Sequence, residues 1–102
     1  MATTLKGILV FLMLILISGC RVEVENYVPR TGDLFCVYNV TKAPANANIR
    51  VGDKVCILCP PPATQSCPST LEINDAGAKY DLVNVSNTCT ECPSGAFTFK
   101  RK

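Results

Sequence analysis

The side chains in this chain best equipped to hold a metal, exchange electrons or cross-link are cysteines. There are seven among 102 residues, and there is no histidine. Two pairs have the sharp Cys-x-x-Cys spacing, Cys56-Ile57-Leu58-Cys59 and Cys89-Thr90-Glu91-Cys92. That spacing has three chemical meanings. Two such knuckles can surround one zinc ion with four thiolates, because two intervening residues let both sulfurs of a pair face the ion. One pair can cycle between dithiol and disulfide when its first cysteine opens a helix and has a low pKa. Or each cysteine can bridge to a different strand or loop and cross-link the fold.

The surroundings weigh against the first two. The stretch from Pro60 to Thr88 between the pairs is longer than the usual zinc-ribbon spacing. Zinc would also leave Cys36 and Cys67 unexplained. Redox catalysis wants a helix after the motif in a βαβ framework. Here Pro60-Pro61-Pro62 follows one pair and Pro93-Ser94-Gly95 the other, and neither run can begin a long helix. Cross-linking leads, with Cys36, Cys56, Cys59, Cys67, Cys89 and Cys92 forming three disulfides whose connectivity the sequence leaves open. A bond within Cys-x-x-Cys closes too short a loop to stabilise much, so long-range pairings are the more effective ones.

Other catalytic sets are missing. Without histidine there is no Ser-His-Asp, no Cys-His and no imidazole metal site. The carboxylates Glu23, Glu25, Asp33, Asp53, Glu72, Asp75, Asp81 and Glu91 are scattered, and nothing singles out an acid pair. The expectation is a protein that is not an enzyme and carries no cofactor or metal.

The disulfide reading depends on export, and the N-terminus supplies a signal for it. Lys6 is followed by an unbroken apolar run from Gly7 to Ile17 and then by Ser18 and Gly19. A charged start, a short apolar middle and a small-residue exit make a secretory leader. The run is shorter than the roughly 20 residues that span a bilayer. Cleavage after Cys20 would divide the chain into a signal peptide, 1–20, and one mature cysteine-rich domain, 21–102. The competing reading takes Ile17-Ser18-Gly19-Cys20 as a lipobox, with Cys20 lipidated as a membrane anchor. Against it, Arg21 leads straight into an alternating segment with no flexible tether.

Without Lys6, nine basic residues face eight acidic ones, too balanced for nucleic-acid binding. The terminal Lys100-Arg101-Lys102 reads as a solvated, frayed end. Asn39-Val40-Thr41 and Asn84-Val85-Ser86 fit the glycosylation pattern, making Asn39 and Asn84 candidate acceptors.

The elements that must position the cysteines are short strands broken by turns. Val22 and Val24 alternate with Glu23 and Glu25 in a first strand, and Pro29 to Asp33 ends it. Leu34 to Val40 is the strongest strand, rich in β-branched and aromatic residues. Lys42 to Asn48 reads as a loop. Ile49 to Val51 and Lys54 to Leu58 flank Gly52-Asp53 as a hairpin, and Leu71 to Ile73 and Lys79 to Val85 flank Asn74 to Gly77 as another. Pro60 to Ser69 should be an extended loop pinned by Cys59 and Cys67, and Phe97 to Phe99 an edge strand or tail. The fold class expected is small and disulfide-rich, with short antiparallel β-strands and long loops. A domain of about 80 residues buries only about 60 % of its unfolded surface, so cross-links worth about 2–4 kcal/mol each would carry much of its stability.

The order Gly52-Asp53-Lys54-Val55-Cys56-Ile57-Leu58-Cys59, Cys67-Pro68, Cys89-Thr90-Glu91-Cys92-Pro93 resembles the small von Willebrand factor type C modules of secreted proteins and venoms. The resemblance covers Cys36 to Pro93 and lacks the family's adjacent cysteine pair before the last knuckle. Cys92-Pro93-Ser94-Gly95-Ala96-Phe97 is similar to the Cys-Pro-x-Gly turns of receptor-type cysteine-rich repeats. Neither transfers a site. Together these features point to a secreted, extracellular protein that binds another protein or receptor, as a toxin, defence factor or extracellular ligand does. The alternatives are a lipoprotein anchored through Cys20, and a redox or zinc protein using the two Cys-x-x-Cys pairs.

Overall fold

Alternation of apolar and polar residues along six short segments produces six strands, and a computed structural model describes them over residues 21–102. They are β1 (Arg21–Asn26), β2 (Phe35–Lys42), β3 (Lys54–Leu58), β4 (Thr70–Asp75), β5 (Ala78–Asn84) and β6 (Phe97–Arg101). Residues 1–20, on which the expected signal peptide and the Cys20 lipidation reading fall, lie outside the described residues.

The strands close into a barrel in the order β1-β4-β5-β2-β3-β6. Four neighbouring pairs are antiparallel, but β1 runs parallel to β4 and β3 parallel to β6. The expected set of antiparallel strands with long loops is therefore corrected to a closed, mixed barrel. Parallel neighbours need crossovers rather than tight turns. They are supplied by the segments 27–34 and 85–96, which travel from one end of the barrel to the other. Closure also removes the exposed edges that invite aggregation.

Period-two alternation sorts the side chains. Cys36, Tyr38 and Val40 of β2 turn inward with Val55 and Ile57 of β3, and Val24, Ile73, Tyr80, Leu82 and Phe99 complete the interior. The alternate residues Phe35 and Val37 of β2 and Cys56 of β3 turn outward. The two crossovers cover them, making a second, smaller core with Tyr27, Leu58, Cys92 and Ala96.

Several local expectations hold. β4 and β5 form the anticipated hairpin with a two-residue turn, Ala76 and Gly77, both at positive φ (50° and 94°), as a turn matched to strand twist requires. The Asn74 side-chain oxygen accepts the Gly77 N–H at 3.1 Å. Three expectations are corrected. Ile49 to Val51 is not a strand, because β3 pairs with β2 itself (Val37 with Cys56, Asn39 with Lys54). Ile49 instead buries itself in the core while Arg50 to Asp53 turn, the Asp53 carboxylate accepting the Arg50 N–H at 2.8 Å. Phe97 to Phe99 is neither edge nor tail, since β6 pairs with both β1 and β3 and closes the barrel. The basic end is not frayed. Lys100 and Arg101 are in β6, Lys100 pairs with Glu25 at 3.4 Å, and the Lys102 N–H donates to the Glu23 carbonyl.

Candidate functional site

The six cysteines of the domain form three disulfides, Cys36–Cys67, Cys56–Cys92 and Cys59–Cys89. All are long-range, and two of them join the Cys-x-x-Cys pairs to each other. Strand geometry explains why the first pair does not act as a knuckle. Residues three apart in a strand project to opposite faces, so Cys56 points to the outer core and Cys59 joins the inner one. Cys92 and Cys89 divide the same way, and the bridges therefore run in parallel through the two cores.

The consequence is an arrangement that spacing could not reveal. Cys36, Cys59, Cys67 and Cys89 gather at the end of the barrel where β2 starts and β3 ends, their four sulfurs within 4.8 Å of one another. The Cys36 and Cys59 sulfurs, which belong to different disulfides, are 3.6 Å apart. Cys36, Cys59 and Cys67 are buried and Cys89 is half-buried. The Ser86 hydroxyl points at the Cys67 sulfur from 3.9 Å and also accepts the Val37 N–H at 3.1 Å.

These disulfides clamp the segment from Pro60 to Ser66. Cys59 fixes its start to Cys89, and Cys67 fixes its end to Cys36. Between them Pro60, Pro61, Pro62, Thr64, Gln65 and Ser66 are exposed, while Ala63 packs on the core. The Ala63 N–H donates to the Pro60 carbonyl at 2.9 Å, and the Cys67 N–H to the Asn87 carbonyl at 2.8 Å. Beyond the clamp, Val83 lies opposite Thr70, and the exposed Val85 follows Asn84, whose N–H donates to the Ser69 carbonyl. The segment is thus a proline-rich loop held at both ends by disulfides.

A concave feature lies between the crossovers. Its volume is about 510 Å³, and its walls come from Pro29 to Phe35 and from Glu91 to Pro93. One side is locked by the Tyr27 hydroxyl, which donates to the Asp33 carboxylate at 2.6 Å while Asp33 also accepts the Arg30 N–H at 2.8 Å. The bond from the phenol holds Asp33 below the usual carboxylate range, and the same bond pushes Tyr27 above the usual phenol value. Thr98 donates to the Tyr27 carbonyl at 2.6 Å, tying the loop to β6.

Several of the remaining candidates have internal partners. Asn39 accepts from Lys54 Nζ at 3.0 Å. Asn84 donates from its amide to the Val37 carbonyl at 3.0 Å and accepts the Asn87 N–H at 2.6 Å, so it shapes the turn after β5. Of the carboxylates, Glu72 pairs with Arg21, Glu25 with Lys100, and Glu23 accepts from the Asn74 amide. No protein family, curated protein or solved structure matches this chain.

Proposed function

We infer that this is a secreted, disulfide-stabilised, non-enzymatic protein that binds another protein through the loop from Pro60 to Ser66. The observation that carries the reading is the covalent clamp: an exposed loop whose two ends are each held by a disulfide to the barrel. Association must order flexible loops as well as side chains, and a loop whose ends are already fixed has less backbone entropy left to lose. Three consecutive prolines add to the effect because their φ angles are fixed before binding. Three disulfides in so small a domain suit an oxidising, extracellular compartment. The apolar run before Ser18 supports export by a cleaved leader.

The test uses fluorescently labelled protein on the surface of live cells of the source organism. Wild type should bind saturably and be displaced by unlabelled protein. A variant with Pro61→Ala, Thr64→Ala and Gln65→Ala together should lose at least tenfold in affinity. Equal binding by that variant would sink the loop assignment. Absence of saturable binding by the wild type would sink the reading as a ligand of the organism's own cells and leave only a foreign target. Intact mass of the native protein should begin at Arg21; a chain beginning at an acylated Cys20 would make it a lipoprotein.

A further inference from the structure

We propose that Cys36, Cys59, Cys67 and Cys89 form a two-state site: two disulfides when oxidised, and a tetrathiolate site for one zinc ion when reduced. The ligand set differs from the one that the Cys-x-x-Cys motifs suggest, and the two disulfides it opens are those that clamp the loop from Pro60 to Ser66.

Geometry carries the argument. Zinc binds thiolate sulfur at about 2.3 Å in a tetrahedron, which places any two of its four sulfurs about 3.8 Å apart. Here every pair of the four sulfurs lies within 4.8 Å, and Cys36 and Cys59 are already 3.6 Å apart across two different disulfides. When both bonds open, the two sulfurs of each former disulfide move apart to the tetrahedral edge, and the distances between the two pairs, now up to 4.8 Å, shift toward it by about 1 Å or less. Side-chain rotation is enough, because each cysteine is anchored by a separate piece of backbone: β2, the end of β3, the start of the segment leading to β4, and the crossover after β5. Among the described residues this is the only cluster of three or more such ligands.

The setting suits a zinc thiolate. Three of the four cysteines are buried among apolar residues, which excludes competing water, and the half-buried Cys89 gives reductant and metal a way in. The Ser86 hydroxyl, 3.9 Å from the Cys67 sulfur, is placed to donate to a thiolate there. Cys56–Cys92 lies in the other core and does not belong to the cluster.

The chemistry balances with a thiol reductant. Two dithiol molecules each transfer two electrons and two protons, opening Cys36–Cys67 and Cys59–Cys89 to four thiols and leaving as two cyclic disulfides. One zinc ion then displaces four protons to give a tetrathiolate complex with a net charge of two minus. Two molecules of a disulfide oxidant reverse the sequence: together they take up the four electrons, and four protons from solvent, and leave as dithiols, while the two protein disulfides re-form and the zinc ion departs.

The experiment reduces the full mature protein with a dithiol in the presence of zinc chloride, removes free metal, and measures bound zinc by native mass spectrometry. A parallel sample with cobalt chloride reads the absorption of tetrahedral cobalt thiolate. Wild type should bind one zinc per chain after reduction and none before it. The pair Cys56→Ala/Cys92→Ala should still bind one, whereas Cys36→Ser/Cys67→Ser should bind at least tenfold more weakly and lose the tetrahedral cobalt spectrum. Reduced wild type that takes up no zinc would overturn the proposal. So would equal zinc binding by the Cys36→Ser/Cys67→Ser pair, since the metal would then rest on Cys56, Cys59, Cys89 and Cys92.

Discussion

Cys56–Cys92 and Cys59–Cys89 should stabilise the barrel as partly redundant links, and the size of that redundancy follows from their placement. Taken alone, each closes a long loop, with sequence separations of 36 and 30. On the chain-entropy treatment, a lone loop of either length contributes about 3.7 kcal/mol at 25 °C. With the other bridge intact, however, the unfolded chain is already pinched. The new loop then runs through the remaining disulfide and holds only about eight residues, from 56–59 and 89–92. Opening it releases about 2.5 kcal/mol. Removing either bridge should therefore cost about 2.5 kcal/mol in loop entropy, and removing both about 6, against about 5 for independent links.

The assay is a double-mutant cycle of urea unfolding free energies on wild type, Cys56→Ala/Cys92→Ala, Cys59→Ala/Cys89→Ala and the four-fold variant. A fixed concentration of a stabilising osmolyte in every sample keeps the weakest variant folded. Packing losses also occur, because Cys56 and Cys59 are buried. Those losses enter both arms of the cycle and cancel wherever the two cores relax independently. The coupling left over should be about 1 kcal/mol, with the second removal costing more than the first. Additivity within the error of the measurement, or a second removal cheaper than the first, would refute the nested-loop reasoning.

Three further outcomes follow from packing and electrostatics. Phe99→Ala should cost about 3–5 kcal/mol in urea unfolding, since Phe99 is buried inside the barrel; a loss below about 0.5 would return β6 to the status of a tail. Ala76→Asn should raise stability by up to about 1 kcal/mol, because Ala76 holds φ at 50° in a turn that favours Asn-Gly, and a lowered urea midpoint would contradict the turn assignment. Asp33 has a depressed pKa and Tyr27 a raised one, so their contribution should be present above the unfolded carboxylate value and below the unfolded phenol value. It should be lost as pH falls through the folded pKa of Asp33 or rises through that of Tyr27. In a carbon-13 titration, Tyr27→Phe should move Asp33 up toward the ordinary carboxylate range, and an unmoved Asp33 would show that the phenol is not its main partner.

Much of the fold could be read from local pattern. Val22 and Val24 against Glu23 and Glu25, the aromatic and β-branched run in β2, and Asn74 to Gly77 before β5 each specify an element through its own residues. What local pattern lacks is a signal for partner and direction. Phe97-Thr98-Phe99 has the composition of any short strand, and only the presence of β1 on one side and β3 on the other makes it the closing strand. The parallel pairs are invisible for the same reason, since a crossover such as 85–96 reads as a loop whichever end of the barrel it reaches. Ile49 illustrates the opposite error. Its apolar side chain suggested a strand, and burial without sheet pairing satisfies it equally well.

The sulfur chemistry was legible in its residue set and misleading in its grouping, and the reason lies in the strand. Cys-x-x-Cys brings two sulfurs together where the backbone turns, as at a zinc knuckle or the start of a helix. In β3 the backbone is extended at Cys56, and a spacing of three sends the two sulfurs to opposite faces. The motif then acts as a divider: one cysteine of each pair serves the outer core and one the inner. Each inner cysteine meets the Cys36–Cys67 bridge, which no motif marks, and the four-sulfur cluster follows from that meeting. Moving Cys59 by one residue would place its sulfur on the face of Cys56 and abolish the cluster while preserving the cysteine count. The parity of the spacing, rather than the presence of Cys-x-x-Cys, is what the candidate zinc site depends on.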